Sequence, residues 1–277
     1  MDLTRKQEIA AKARQLRHDI VDMVGGKDGK VGHLGGSCSI ADVVAVLYFD
    51  RMKHDPGNPK DPDRDRFLLS KGHAALVQYA ALCECGYFPR EELARIKTCG
   101  AMLQGHPDVR YTPGVEANTG SLGQGLSIGL GMALGLRLDG SDRRVYVVMG
   151  DGEQAEGQIW EAAMAAANFG LDHLVGILDW NGLQATGATR DRMDLGDLKA
   201  KWQGFGWHVI EIDGHDLDQI DAAFDAAETV TGKPTLILAK TVKGKGVFFA
   251  EGQVAFHNGP LTPEQYRQAH KDIDTVL

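Results

Sequence analysis

Apolar positions near the start of the chain recur at helical spacing. Ile9, Ala13, Leu16 and Ile20 fall on one face behind Thr4 and Gln7, which read as a capping box. A glycine-rich break follows from Gly25 to Gly36, and Ser39 with Asp42 is expected to open a second helix through Val43, Val44 and Leu47. Three prolines and many charges between His54 and Arg64 predict a surface loop. The signal then changes. FLLS from Phe67 reads as a short buried strand, Lys71-Gly72-His73 as the opening of a helix to about Cys85, and Pro89 as the start of another, REELARIK. After a polar loop from Thr98 to Asn118, the run from Leu122 to Leu138 reads as a small-residue helix that packs closely against something.

The second half is more regular. Strands are expected at Arg144–Gly150, His173–Trp180, Trp207–Asp213 and Thr235–Lys240, with helices from Ala155 to Gly170 and from Asp216 to Glu228. A final helix starts at Thr262-Pro263-Glu264. Continuous β-branched runs alternating with helices predict an α/β fold: one domain, residues 1–277, with a mainly parallel sheet flanked by helices on both faces.

Composition narrows the function classes only modestly. With 43% apolar and 25% charged residues the chain reads as an ordinary globular protein, and a net charge of −8 argues against nucleic acid as a partner. Cys38, Cys83, Cys85 and Cys99 form no C-x-x-C pair, so reduced thiols are expected. Neither an apolar leader nor a membrane-length apolar run is visible, which predicts a cytoplasmic protein without a membrane partner.

The candidate chemistry lies between Gly150 and Asn181. One buried strand ends in Gly150-Asp151-Gly152, and the next ends at Asn181, thirty residues after Asp151. That spacing is one strand–helix–strand unit, so both polar residues sit at the carboxyl ends of parallel strands, where such sheets bind ligands. A carboxylate and an amide oxygen there suit Mg2+, and the flanking glycines admit a diphosphate close to the backbone. The helix beginning near Glu156 is expected to add its N-terminal dipole.

GDGEQAEG followed by LDWNGLQATG resembles the thiamine diphosphate motif in its transketolase form. The resemblance extends in order through GHLGGS around His33, LSKGHAA around His73, QGHPD around His106, NTGSLGQGL around Gly120 and AKTVKGKGV around Lys243. It implies thiamine diphosphate and Mg2+ (with Ca2+ or Mn2+ able to substitute). Asp151, Asn181 and the Leu183 carbonyl would be the metal ligands. Gly120, Ser121, Leu122, Gly150, Gly152 and Glu153 would line the cofactor. Ser121 stands where many members have proline.

Four of the ten histidines, His33, His73, His106 and His257, sit beside glycine or in glycine-rich loops, and resemble the family's substrate-channel set. His73 and His257 would also hold the diphosphate, His106 the donor's hydroxyls, and His33 or His257 would serve as acid/base groups with near-neutral pKa. Phe256-His257-Asn258-Gly259 departs from the family's Trp-His-Gly. Glu156 and Glu161 correspond to glutamates at the family's subunit interface.

Transketolases are more than twice this long, and their pyrimidine-activating glutamate lies on a second domain. The resemblance therefore implies a separate C-terminal transketolase subunit supplying that glutamate, in an α2β2 assembly acting on sugar or sugar-phosphate substrates. Three alternatives stand beside this reading. A 1-deoxyxylulose-5-phosphate synthase-like enzyme would keep the cofactor and change the reaction. A nicotinamide-dependent dehydrogenase lacks the strand–G-x-G-x-x-G–helix fingerprint here. A regulatory subunit would have no use for intact Asp151, Asn181 and histidines.

Overall fold

The computed structural model describes residues 1–26 and 29–275; Lys27 and Asp28 of the glycine-rich break lie outside them. Helix α1 (Leu3–Val24) buries Ile9, Ala13, Leu16 and Ile20, as the periodicity predicts. Its N-cap is Asp2, however, whose carboxylate accepts the Arg5 N–H at 2.8 Å. Thr4 and Gln7 therefore lie inside the helix. The single helix expected after Ser39 is broken into α2 (Leu34–Cys38), α3 (Ala41–Val46) and a π-turn (Leu47–Arg51). Ser39 is the C-cap of α2 rather than the N-cap of a following helix, and its hydroxyl donates to the Asp179 carboxylate at 2.6 Å.

Strand β1 (Arg66–Leu69) runs into a 3-10 turn (Gly72–Ala74) and α4 (Ala75–Glu84). Only one turn of the helix expected at REELARIK forms, α5 (Glu91–Ala94). There follow α6 (Gln124–Leu138), β2 (Val145–Gly150), a 3-10 turn (Gly152–Ala155), α7 (Gly157–Asn168) and β3 (Leu174–Trp180). A small hairpin, β4 (Leu183–Gln184) and β5 (Gly187–Ala188), then α8 (Thr189–Arg192) and α9 (Leu198–Gly204), occupy a stretch with no sequence-based assignment. The chain continues with β6 (His208–Asp213), α10 (Leu217–Thr229), β7 (Thr235–Lys240) and α11 (Pro263–Thr275).

The main sheet has the order β1-β2-β3-β7-β6 and every pairing in it is parallel. Alternate side chains serve opposite cores, as the strand pleat requires. Tyr146, Val148 and Ile177 pack with α1, α3 and α4, while Val145, Val147 and Leu178 pack with α6, α7 and α9. The small residues of α6 face two ways. A Cβ on Gly125 would collide with Ser70, and one on Gly129 would stand 2.5 Å from Val147, so these glycines bring α6 tightly onto the sheet. Gly131 and Gly135 meet nothing within 4 Å. Among the described residues no helix is long and apolar enough to cross a membrane, and all four cysteines are free.

Candidate active site

Parallel strands all deliver their carboxyl ends to one edge, and the predicted polar residues collect there. Asp151 follows β2, and Asn181 and Leu183 follow β3. The Asp151 carboxylate is held by the Gly152 N–H at 2.7 Å and the Gly182 N–H at 2.5 Å. Burial, and then neighbouring Asp179, raise its pKa to about 6. A group this reluctant to carry its charge alone is suited to meeting a cation. Asn181 donates its amide N–H to Asp179 at 3.1 Å, and its amide oxygen accepts the Leu183 N–H at 3.1 Å.

The Leu183 carbonyl already faces a positive charge, the Lys243 ammonium at 3.1 Å. Burial, then Lys71, lower the Lys243 pKa to about 8. Among the described residues no cluster of three His, Cys, Asp or Glu could hold a metal. Asp151, Asn181 and Leu183 present oxygen atoms, the donor type a hard cation prefers.

Beneath this edge lies a buried pair that sequence reading missed. Lys71 Nζ donates to the Asp179 carboxylate and, at 2.7 Å, to the Gly36 carbonyl. Asp179 also accepts from Ser39, Thr241 and Asn181. By fixing the Asn181 amide, it decides which way that oxygen points. Lys71 lies 108 positions from Asp179, and Asp179 sits within an apolar strand run, so no local pattern marks the pair.

Glu153 is buried with its carboxylate committed to the protein. It accepts from the Ser70 hydroxyl, the Gly123 N–H at 2.8 Å and the Gly150 N–H at 3.0 Å. It thereby ties the Asp151 turn to the Gly120–Leu122 loop. Gly72 lets that loop approach, because a Cβ there would stand 2.6 Å from the Gly120 nitrogen. Gly152 packs against Gln184 with similar closeness, 2.8 Å from a Cβ to the Gln184 side chain. The helix expected near Glu156 begins there, with Glu156 as its N-cap. A 3-10 turn intervenes after Asp151, and α7 begins at Gly157, beside Gly123.

Three of the four predicted histidines converge. The rings of His33, His73 and His257 stand 5.0, 5.2 and 5.3 Å apart pairwise. His106 lies over Gly120, where a Cβ would come within 2.8 Å of its ring and φ is +133°. Their basicity is not near-neutral as expected. Burial, then Lys97, brings His33 to about 4; burial, then Lys71, brings His73 to about 2; burial, then Lys243, brings His257 to about 4. Burial and Lys97 also lower His106. At neutral pH the trio is uncharged. Among the described residues the buried His257 Nδ1 has no hydrogen-bond partner. A reversed pairing of Gly32 with Gly259 fixes the His257 loop against the His33 loop despite the Asn258 insertion. Glu156 and Glu161 are both exposed.

The fold and this edge define a parallel α/β domain that gathers its polar residues at the carboxyl ends of its strands. The family model described as "Transketolase, thiamine diphosphate binding domain" matches residues 5–274. The chain belongs to that transketolase family. It is 49% identical over 244 residues to the 6-deoxy-6-sulfo-D-fructose transketolase subunit of a Clostridium species, covering 88% of this chain and 89% of that one. Its identity to an apulose-4-phosphate transketolase subunit of Phocaeicola vulgatus is 43% over 267 residues, covering 96% and 94%. The solved transketolase of Leishmania mexicana superposes with a TM-score of 0.90 at 32% identity, covering 96% of this chain. The chain spans 41% of that protein's length.

Proposed function

We propose that this chain is the diphosphate-binding subunit of a cytoplasmic two-subunit transketolase, transferring a two-carbon ketol unit from a ketose to an aldose. The observation that carries the reading is the oxygen triad of Asp151, Asn181 and Leu183, with Lys243 standing at the Leu183 carbonyl. These three would hold Mg2+, with Lys243 and Lys71 countering the diphosphate charge. Bound thiamine diphosphate supplies the carbanion stabilisation that C–C cleavage needs. Gly120, Ser121, Leu122, Gly150 and Gly152 form the backbone cradle, and Glu153 holds that cradle together. His33 and His257, neutral and close, are placed to accept a sugar hydroxyl's proton; His73 and His106 line the approach.

The partner would be a C-terminal subunit supplying the pyrimidine-activating glutamate, in an α2β2 assembly. The relatives' names as subunits support this, as does the chain's share of a single-chain transketolase. So does α6, where Gly131 and Gly135 leave room for a second helix, and Glu156 and Glu161 on the neighbouring segment are exposed. Both relatives' named sugars carry an anionic group, which favours a phosphate- or sulfonate-bearing ketose as donor over a neutral one.

Two measurements test the proposal. Calorimetry should show Mg2+-dependent thiamine diphosphate binding that Asp151→Ala abolishes; unchanged affinity in that variant removes the metal assignment. Ketol transfer should be absent from the purified chain and present once the co-purifying subunit is added. Full turnover by the chain alone refutes the two-subunit reading.

A further inference from the structure

The loop carrying Lys243 is anchored by a network of Arg17, Asp42 and His215 just beyond the carboxyl ends of β6 and β7. Asp42 on α3 receives both terminal nitrogens of Arg17, at 2.9 and 2.6 Å, and also faces His215 Nδ1 at 2.7 Å. The other ring nitrogen, His215 Nε2, lies 2.9 Å from the Val242 amide nitrogen. A backbone N–H can only donate, so Nε2 must be the bare nitrogen and Nδ1 must carry the proton towards Asp42. Two further anchors hold the same turn. Arg17 Nε donates to the Lys245 carbonyl at 3.0 Å, and the Gly244 N–H donates to the Gly35 carbonyl at 2.9 Å. Residues 242, 244 and 245 are thus pinned from three directions, and Lys243 between them is directed at the Leu183 carbonyl.

We propose that the Asp42–His215 pair, braced by Arg17, is the positioning device for Lys243: Asp42 fixes the His215 tautomer, and the bare Nε2 sets the Val242 backbone from which Lys243 projects. His215 touches neither the metal ligands nor the histidine trio and is a positioning residue, not a catalytic one. The inference rests on the proposed function, since it assigns the network's output to the diphosphate site.

The test compares His215→Phe and His215→Gln. Phe keeps the ring's bulk and leaves the Arg17–Asp42 pair intact, but offers Val242 no acceptor. Gln places a carboxamide oxygen about where Nε2 stood. In the Phe variant, thiamine diphosphate affinity in Mg2+ should fall about tenfold, the lower end for an outer-shell partner of a metal site, and Val242 amide exchange should accelerate. The Gln variant should recover most of both. The 15N shifts of wild-type His215 should report a protonated Nδ1. A Phe variant that binds as tightly as wild type, or a His215 protonated on Nε2, overturns the proposal. Should wild type bind no thiamine diphosphate, the proposed function fails; the tautomer and the Val242 exchange rate still decide whether the anchor exists, because neither needs the cofactor.

Discussion

Asp179→Asn keeps the side chain's shape and removes one negative charge from a fully buried position. Lys71 would then be left with the Gly36 carbonyl and an amide as partners for its ammonium. Ser39, Thr241 and Asn181 would each lose a charged acceptor. Removing one member of a buried ion pair costs about 3–5 kcal/mol, because the other charge stays buried without compensation. For 277 residues, an unfolding entropy of about 2.1 cal/mol/K per residue converts this to a fall in Tm of about 5–9 °C.

Thermal and urea unfolding followed by circular dichroism measure the loss directly, and a double-mutant cycle with Lys71→Met isolates the pair's share. The pH dependence adds a second arm. Burial works against the Asp179 charge, but Lys71, Ser39 and Thr241 hold its pKa below the ordinary carboxylate range. Its contribution is therefore complete above an unfolded value of about 4 and fades as pH falls through the folded value. The gap between wild type and Asp179→Asn should narrow below about pH 4. A loss under about 1 kcal/mol, or a gap unchanged in acid, refutes the assignment of Asp179 as the charged centre of this network.

Lys97, whose backbone has φ +56° and whose ammonium donates to the Val31 carbonyl, faces both His33 and His106. Lys97→Met should raise both titration midpoints, since the nearby ammonium disfavours the charged imidazoles; unmoved histidine resonances would contradict it. Gly129→Val should cripple the fold by driving α6 off Val147. Gly131→Leu should instead raise Tm, gaining about 0.8 kcal/mol of helix propensity, while weakening association with the co-purifying subunit in sedimentation. Equal association in both proteins would discard α6 as an interface. His18 and His270 meet Nδ1 to Nδ1 at 2.7 Å, with Asp274 and Asp22 at their far nitrogens. Burial, then His270, lower the His18 pKa. The contact's contribution is therefore present above the unfolded value of about 6.5 and lost as pH falls towards the folded one. Hydrogen exchange of α11 should rise in that window, and a flat profile would exclude the effect.

The sequence revealed what is local. The strand runs at Val145, Leu174, His208 and Thr235 and the Asp151–Asn181 spacing are written in contiguous residues, and the structure places them at the expected edge. Capping chemistry misled where a closer competitor existed, as Asp2 displaced Thr4 and Asp179 captured Ser39. The hairpin at Leu183–Ala188 was hidden because two-residue strands carry no periodicity. Lys71–Asp179 and Asp42–His215 join residues 108 and 173 positions apart, and only the folded chain brings them together. The histidines were recognised by their glycine neighbours, but their basicity depended on burial and on three lysines that the sequence does not place.

The bare side of α6 bears on how much of this chain can safely exist. Leu138, the last residue of α6, adds apolar area there at 87% exposure. A molecule without a companion presents that surface to every other chain in solution, including copies of itself and unfolded intermediates. If the proposed partner subunit covers that face, chain made in excess of it would keep this apolar area exposed, and surplus would be a hazard rather than a reserve.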